Sequence, residues 1–357
     1  MQSIAGEKMK KLVNKLRRGK KLPPQSRITS ETIDQHREHV LAGGRRFKYP
    51  IQYARHRLVI NAIIISVVAV IIALTVGWWQ LYPAQNTSEF MYNITKALPV
   101  PVAMVDGQPV LYSDYLMAFR SSVYFSEQKQ QLNPKTDDGK RQIEYFKQQS
   151  IQEAITDAYA FKLSKGLGVS VSDSELENSL KDQRQSVNGE TTQKTLDASV
   201  LDILGLTPSE YRHKISNGML RQKVAYAMDK DALKASRIIN DALIKDPKSD
   251  FKTLADTVSK QTNTKTTYGV SGWVPKDNQD GGLAVVAAKL EKLGVSTVVK
   301  STRGDGYYVI RLLDANAENV SYEYINVSLT TFSNSLANIE KQGKVSKFIS
   351  IPKSTTK

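Results

Sequence analysis

The sequence predicts an α+β protein: one membrane-spanning helix, then a mainly helical domain, then an α/β domain. Three observations carry this expectation. Residues 58–81 form an apolar run without a charge. Residues 113–230 show repeated helix-start signals followed by apolar positions at helical spacing. Beyond residue 265, alternating β-branched and aromatic runs are separated by Gly and Asp turns. The chain divides on this basis into a basic tail (1–57), a spanning helix (58–81), a linker (82–99), a helical domain (100–229), an α/β domain (230–330) and a C-terminal helix and tail (331–357).

The tail carries 15 Lys and Arg against four Asp and Glu, whereas the other 300 residues carry 35 against 31. The net charge of +15 is therefore mostly that of the tail, and a nucleic-acid partner is not expected, because no folded domain is strongly basic. Ile4, Leu12, Val13 and Leu16 allow one amphipathic helix that docks on anionic lipid; otherwise the tail reads as an unstructured topogenic segment. The apolar run holds 14 Leu, Ile and Val in 24 residues. At 1.5 Å per residue it spans about 36 Å, enough for a hydrocarbon core of about 30 Å. Trp78, Trp79 and Tyr82 follow it, and Arg45, Arg46, Lys48, Arg55 and Arg57 precede it. The positive-inside rule then leaves 1–57 in the cytoplasm and the later domains outside. A cleaved signal peptide fits poorly, since the run is long, starts late and lacks a small-residue cleavage pattern.

Asp106-Gly107 between short apolar runs predicts a hairpin, and Ser113 predicts the N-cap of the next helix. Residues 140–166 read as a long amphipathic helix with Ile151, Ile155, Ala158, Tyr159 and Leu163 on one face, ended by Gly166 and Gly168. Ser172 with Glu175, and Thr207 with Pro208 and Glu210, are helix starts of the capping-box type. The second runs toward about Lys230. Val320–Leu329 alternates as a strand, and residues 331–352 read as a short helix with a final apolar strand or tail.

These segments are similar to a known family. "VAMVDGQPVLYSDY", "SIQEAITDAYAFKLSKGLGVSVSDSELENSL" and "GLTPSEYRHKISNGMLRQKV" resemble, in order, the N-terminal chaperone domain of SurA- and PrsA-type foldases. "ALKASRIINDALIKDPKSDFKTLADTVSKQ", "YGVSGWV" and "LAVVAAKLEKLGVSTVVKSTRGDGYYVIRLLD" resemble a parvulin (PpiC-type) prolyl isomerase domain. The resemblance implies a membrane-anchored, extracytoplasmic folding chaperone that needs no cofactor or metal. Its partners would be unfolded or partly folded secreted polypeptides, the bilayer through residues 58–81, and the secretion machinery.

The departures from the family bear on catalysis. Tyr308 stands where the last parvulin strand has histidine, and Val270 where an aspartate or cysteine precedes Gly-Trp. The first parvulin strand is missing before Ala232, and no histidine follows His213. The resemblance thus implies a domain inactive as an isomerase, with an active parvulin using a tyrosine-based pocket as one alternative and a non-catalytic cell-surface assembly protein as another. Val320–Leu329 could fill the missing strand from the other end, a circular permutation that would bring Tyr324 near the first histidine position. Tyr307, Tyr308, Tyr322 and Tyr324 are the candidate peptide-binding residues, although aromatic residues are also ordinary in strands. Trp273 is a stacking candidate that the family pattern places in the core. His213, alone on its helix, reads as a surface residue. Asn86, Asn93, Asn319 and Asn326 begin sequons that read as chance matches.

Overall fold

In the computed structural model the described residues are 29–48, 50–186 and 189–351. The amphipathic segment expected at residues 4–16 and the last six residues lie outside them. The chain forms two units, Met1–Gly77 and Trp78–Lys357. In the first, helix α1 (Ser30–Lys48) is followed by α2 (Pro50–Leu81), which continues into the second unit. Helix α1 departs from the unstructured tail expected at 30–48. Its Gly43-Gly44 pair lies inside the helix instead of breaking it, which costs only about 1 kcal/mol per glycine relative to Ala. His56–Leu81 is long and apolar enough to cross a membrane by length and composition, and its most apolar 18 residues have mean hydropathy 2.9 with none buried.

The second unit opens with α3 (Glu89–Ala97), capped by Ser88. Strands β1 (Pro101–Val105) and β2 (Gln108–Leu111) then form the expected hairpin. Asp106 and Gly107 both take positive φ there, 45° and 84°, as a two-residue turn matched to strand twist requires. Helix α4 (Tyr112–Lys129) leaves β2 directly. Its N-cap position is Leu111, not Ser113, and no side chain caps it. The Tyr112 amide is bonded to the carbonyl of Val100, just before β1, at 2.8 Å.

Helix α5 (Asp137–Leu167) is the long amphipathic helix. Gly166 lies within it, and Gly168 terminates it in the left-handed region at φ 63°. Ile151, Ile155 and Tyr159 are buried. Helix α6 (Asp173–Gln183) starts with the complete capping box of Ser172 and Glu175. A two-residue-per-strand hairpin, β3 (Gln185–Ser186) and β4 (Gly189–Glu190), and helix α7 (Gln193–Leu204) follow. Helix α8 (Pro208–Met228) starts with the second box, Thr207 and Glu210.

Helices α9 (Lys230–Lys245) and α10 (Phe251–Thr262) lead to strand β5 (Thr266–Pro275). The final helix expected from the parvulin resemblance is only five residues, α11 (Leu283–Ala287). Strands β6 (Val299–Lys300), β7 (Gly306–Ala315) and β8 (Asn319–Ser328) complete an antiparallel sheet in the order β5-β8-β7-β6. The alternating segment 320–329 is thus a central strand, paired with β7 on one side and β5 on the other. One face of the sheet packs Tyr307, Val309, Ile325 and Val327 against Ala235, Ile239, Phe251 and Val258 of α9 and α10. The other packs Tyr308, Ile310, Leu312, Val320 and Tyr322 against Leu283, Ala284 and Ala287 of α11.

The chain then returns to the helical domain. Helix α12 (Thr331–Lys341) buries Phe332, Leu336 and Ile339 in the same core as Val102, Tyr115, Ile155 and Val224. Strand β9 (Val345–Lys347) adds to β1, giving the order β2-β1-β9. Residues 331–351 are therefore part of the helical domain and not a separate tail.

Candidate peptide-binding site

Side chains alternate across a strand, so β7 and β8 divide the four candidate tyrosines between the two faces of the sheet. Tyr307 is on the α9–α10 face, edge-on to Tyr226 at 5.1 Å. Tyr308, Tyr322 and Tyr324 share the α11 face. Tyr324 tilts against Tyr308 at 5.6 Å and against Tyr322 at 6.2 Å between ring centroids. The expected four-tyrosine groove is thus a three-tyrosine row, with Tyr307 excluded by strand parity.

Two carboxylates hold this row. The Tyr308 hydroxyl donates to Asp305 Oδ2 at 2.9 Å, and the Tyr322 hydroxyl donates to Asp280 Oδ2 at 2.6 Å. Asp280 also accepts the Leu283 and Ala284 amides at 2.8 and 3.1 Å, joining the sheet to the start of α11. Burial, and then the bonded carboxylate, push both phenols far above their ordinary range. They are neutral hydrogen-bond donors already engaged by their carboxylates, and neither can serve as a base near neutral pH. Tyr324 lies against Gly269 of β5, where an added Cβ would fall 2.5 Å from its ring. The ring occupies the space of a missing side chain, which is why glycine stands there.

Asn326 faces Tyr308 across the ladder. It is buried; its Oδ1 accepts from the Ser328 hydroxyl at 2.8 Å, and its Nδ2 has no hydrogen-bond partner. Asp280, Asp305, Gly269 and Asn326 were not legible as site residues. The one available signal was parity, because Asn326 lies two residues beyond Tyr324 and so on the same face.

The remaining candidates fall elsewhere. Val270 pairs with Glu323 and Trp273 with Ser321, residues whose side chains lie on the α9–α10 face. Val270 therefore does not face Tyr308 or Tyr324, and Gly269 does. Trp273 is not in the core: it is 56% exposed on β5. A bulge between Val270 and Trp273, with Gly272 at φ 65°, turns the indole outward. His213 is half-exposed and pairs with Asp114 at 2.9 Å on the helical domain, and that hydrogen bond raises its pKa. Tyr308 and Tyr322 are buried against α11, and the Asn326 amide nitrogen is sealed from solvent, so the row is a packed layer of the domain and not an open groove.

A concavity of about 530 Å³ lies between the two domains. Leu329, Phe332 and Leu336 supply its apolar part, and Arg221, Gln222 and Arg303 its polar part. Arg221 is held by Asp157 at 2.6 Å and Gln222 by the Arg303 carbonyl at 3.3 Å.

Residues 52–225 match the SurA-like N-terminal domain family. Residues 221–314 match the PPIC-type PPIASE domain family, the rotamases. This chain joins a SurA-like N-terminal domain to a PpiC-type rotamase domain. The rotamase match starts inside α8 and stops before β8, so the central strand of the sheet lies outside it. No curated protein matches the chain. One solved structure that aligns comes from a description of two structurally related SurA-like chaperones of Campylobacter jejuni, a virulence factor and a periplasmic protein. It is 16% identical, with 69% of this chain and 91% of that chain covered and a TM-score of 0.24, too low to carry an argument about this fold.

Proposed function

We propose that the protein is an extracytoplasmic folding chaperone, anchored through residues 58–81, that holds unfolded secreted polypeptides without isomerising their prolyl bonds. The SurA-like domain supports the holding role. The apolar helix with its preceding arginines supports the anchor, which would concentrate the chaperone where chains emerge from the secretion machinery. One observation carries the non-catalytic reading. The phenols of Tyr308 and Tyr322 are tied to Asp305 and Asp280, and Tyr324, Asn326 and apolar side chains pack beside them. These buried groups are already engaged with one another and with α11, and they lack the labile polar cluster with which parvulins act. The position of β8 between β5 and β7 supports a permuted sheet, with Asn326, rather than Tyr324, opposite Tyr308.

The test uses the full-length protein in detergent micelles and a client whose refolding is limited by a slow prolyl step, tens to hundreds of seconds when uncatalysed. The expected result is reduced aggregation with that slow phase unchanged. Acceleration of the phase would show that the tyrosine-lined face is catalytic. An unchanged phase together with unchanged aggregation would remove the holding role.

A further inference from the structure

We propose that the free edge of strand β5 takes up an extended, uncharged client segment as an added antiparallel strand. β5 has β8 on one side only and, among the described residues, no strand on the other. The opposite edge of the sheet, β6, is two residues long, so β5 is the long open edge. Alternate N–H and C=O groups of such an edge have no partner in their own sheet, and an extended chain is what satisfies them.

The side chains define the partner's chemistry. TTYGVSGWVP carries no charge from Thr266 to Pro275, and the nearest charges are Lys265 and Lys276. Natural edge strands are commonly blunted by a charge within the strand; here none is present. Tyr268, Val270 and Trp273 project from one face and are 38%, 50% and 56% exposed. Across the ladder from Val270, Glu323 is already paired with Arg311 at 2.6 Å, so no unpaired charge lies beneath the stripe. An incoming segment would therefore gain most from apolar or aromatic residues at every second position and none from charge. The bulge after Val270 confines continuous pairing to Thr266–Val270, with Trp273 extending the apolar stripe beyond it.

The size of the edge selects between occupants. Ten residues make a strip about 34 Å long and one strand wide, roughly a few hundred Å² and well short of the ~800 Å² per partner of a stable protein–protein interface. A second copy joined along β5 alone would be too weak to persist. A client segment held briefly needs no more. The proposal rests on the client-holding reading above and names where and how the rotamase domain would engage.

The probe is a ten-residue peptide of alternating Val and Thr with one Tyr, beside an analogue N-methylated at every residue, which keeps the side chains but removes the donors of both edges. Full-length protein in micelles is titrated by fluorescence anisotropy, and amide exchange is followed over Thr266–Val270. The expected result is binding of the plain peptide, slowed exchange in β5, and affinity lower by roughly tenfold both for the methylated peptide and for Val270→Lys. Val270 is exposed, so the lysine variant keeps the fold, and amide exchange of β7 and β8 verifies this. No binding, equal binding of both peptides, or binding without slowed exchange in β5 would overturn strand addition. So would concentration-dependent self-association abolished by Val270→Lys, which would make the occupant a second copy. If wild type and Val270→Lys suppress client aggregation equally, the edge proposal fails while the holding role stands. If neither suppresses it, the holding role itself fails.

Discussion

Asp229 is a single buried side chain with three backbone partners. It caps α9 through the Ala232 amide at 3.1 Å and accepts the Thr330 and Thr331 amides at 2.7 and 2.9 Å. It thus ties the start of the rotamase helices to the chain's return into the helical domain. Asp229→Ala removes a helix cap and leaves two further amides unpaired, so a loss of about 2–4 kcal/mol is expected, measured by urea unfolding. Glu210 is a second such residue. Burial pushes its carboxyl up, but the Thr207 amide, the Tyr92 hydroxyl and Lys96 outweigh that and bring it down to about 2. A depressed carboxyl contributes stability above its unfolded pKa and loses it as pH falls from about 4.5 toward 2. Glu210→Gln is expected to lower stability at pH 7 by about 2–3 kcal/mol and to flatten the acid limb of the urea midpoint against pH. Glu210 was visible in the sequence as an ordinary helix-start signal, whereas Asp229 was not singled out. The long-range partners of both were hidden, because Tyr92 and Thr330 are about a hundred positions away.

At the scale of elements, periodicity and capping chemistry located most helices, because both are local. The capping boxes at Ser172 and Thr207 form as expected, since each needs only four consecutive residues. The failures come where a neighbour substitutes for a local signal. Ser113 does not cap α4 because the helix already starts at Tyr112, straight out of β2, and Trp273 faces solvent because a bulge rotates it outward. The C-terminal elements are the largest case. Phe332, Leu336, Ile339 and Ile349 are all buried in the core built by residues 81–225. Each contributes about 1.5–3 kcal/mol on burial, and together they rival the 5–15 kcal/mol that stabilises a domain. A chain ending at Leu329 is expected to lose the helical domain: amide exchange in α4 and α5 should become fast. Protection of α4 and α5 equal to that of the full chain would show that α12 and β9 are dispensable.

At the scale of the molecule, the chain has no cysteine, which permits a direct test of orientation. With the anchor proposed above, Ser249→Cys in intact cells is expected to react with a membrane-impermeant maleimide, and Ser30→Cys only after permeabilisation. Ser30 is exposed and Ser249 half-buried. Labelling in the reverse pattern would invert the topology, and labelling of both in intact cells would remove the anchor.

The sequence by itself determined what depends on neighbouring residues: the apolar helix at 58–81, the Asp106-Gly107 turn, the capped helices and the alternation of β7 and β8. Composition also excluded cysteine chemistry, and the lack of histidine after His213 removed the family's imidazoles from the rotamase domain. Only the tertiary structure decided which residues meet. It set Tyr307 apart from Tyr308, exchanged Val270 for Gly269 beneath Tyr324, brought Asn326 to Tyr308 and returned α12 to the first domain. The reason is physical. Turn and cap preferences act over a few bonds, whereas strand pairing and core burial join residues remote in sequence and depend on the whole fold closing around them.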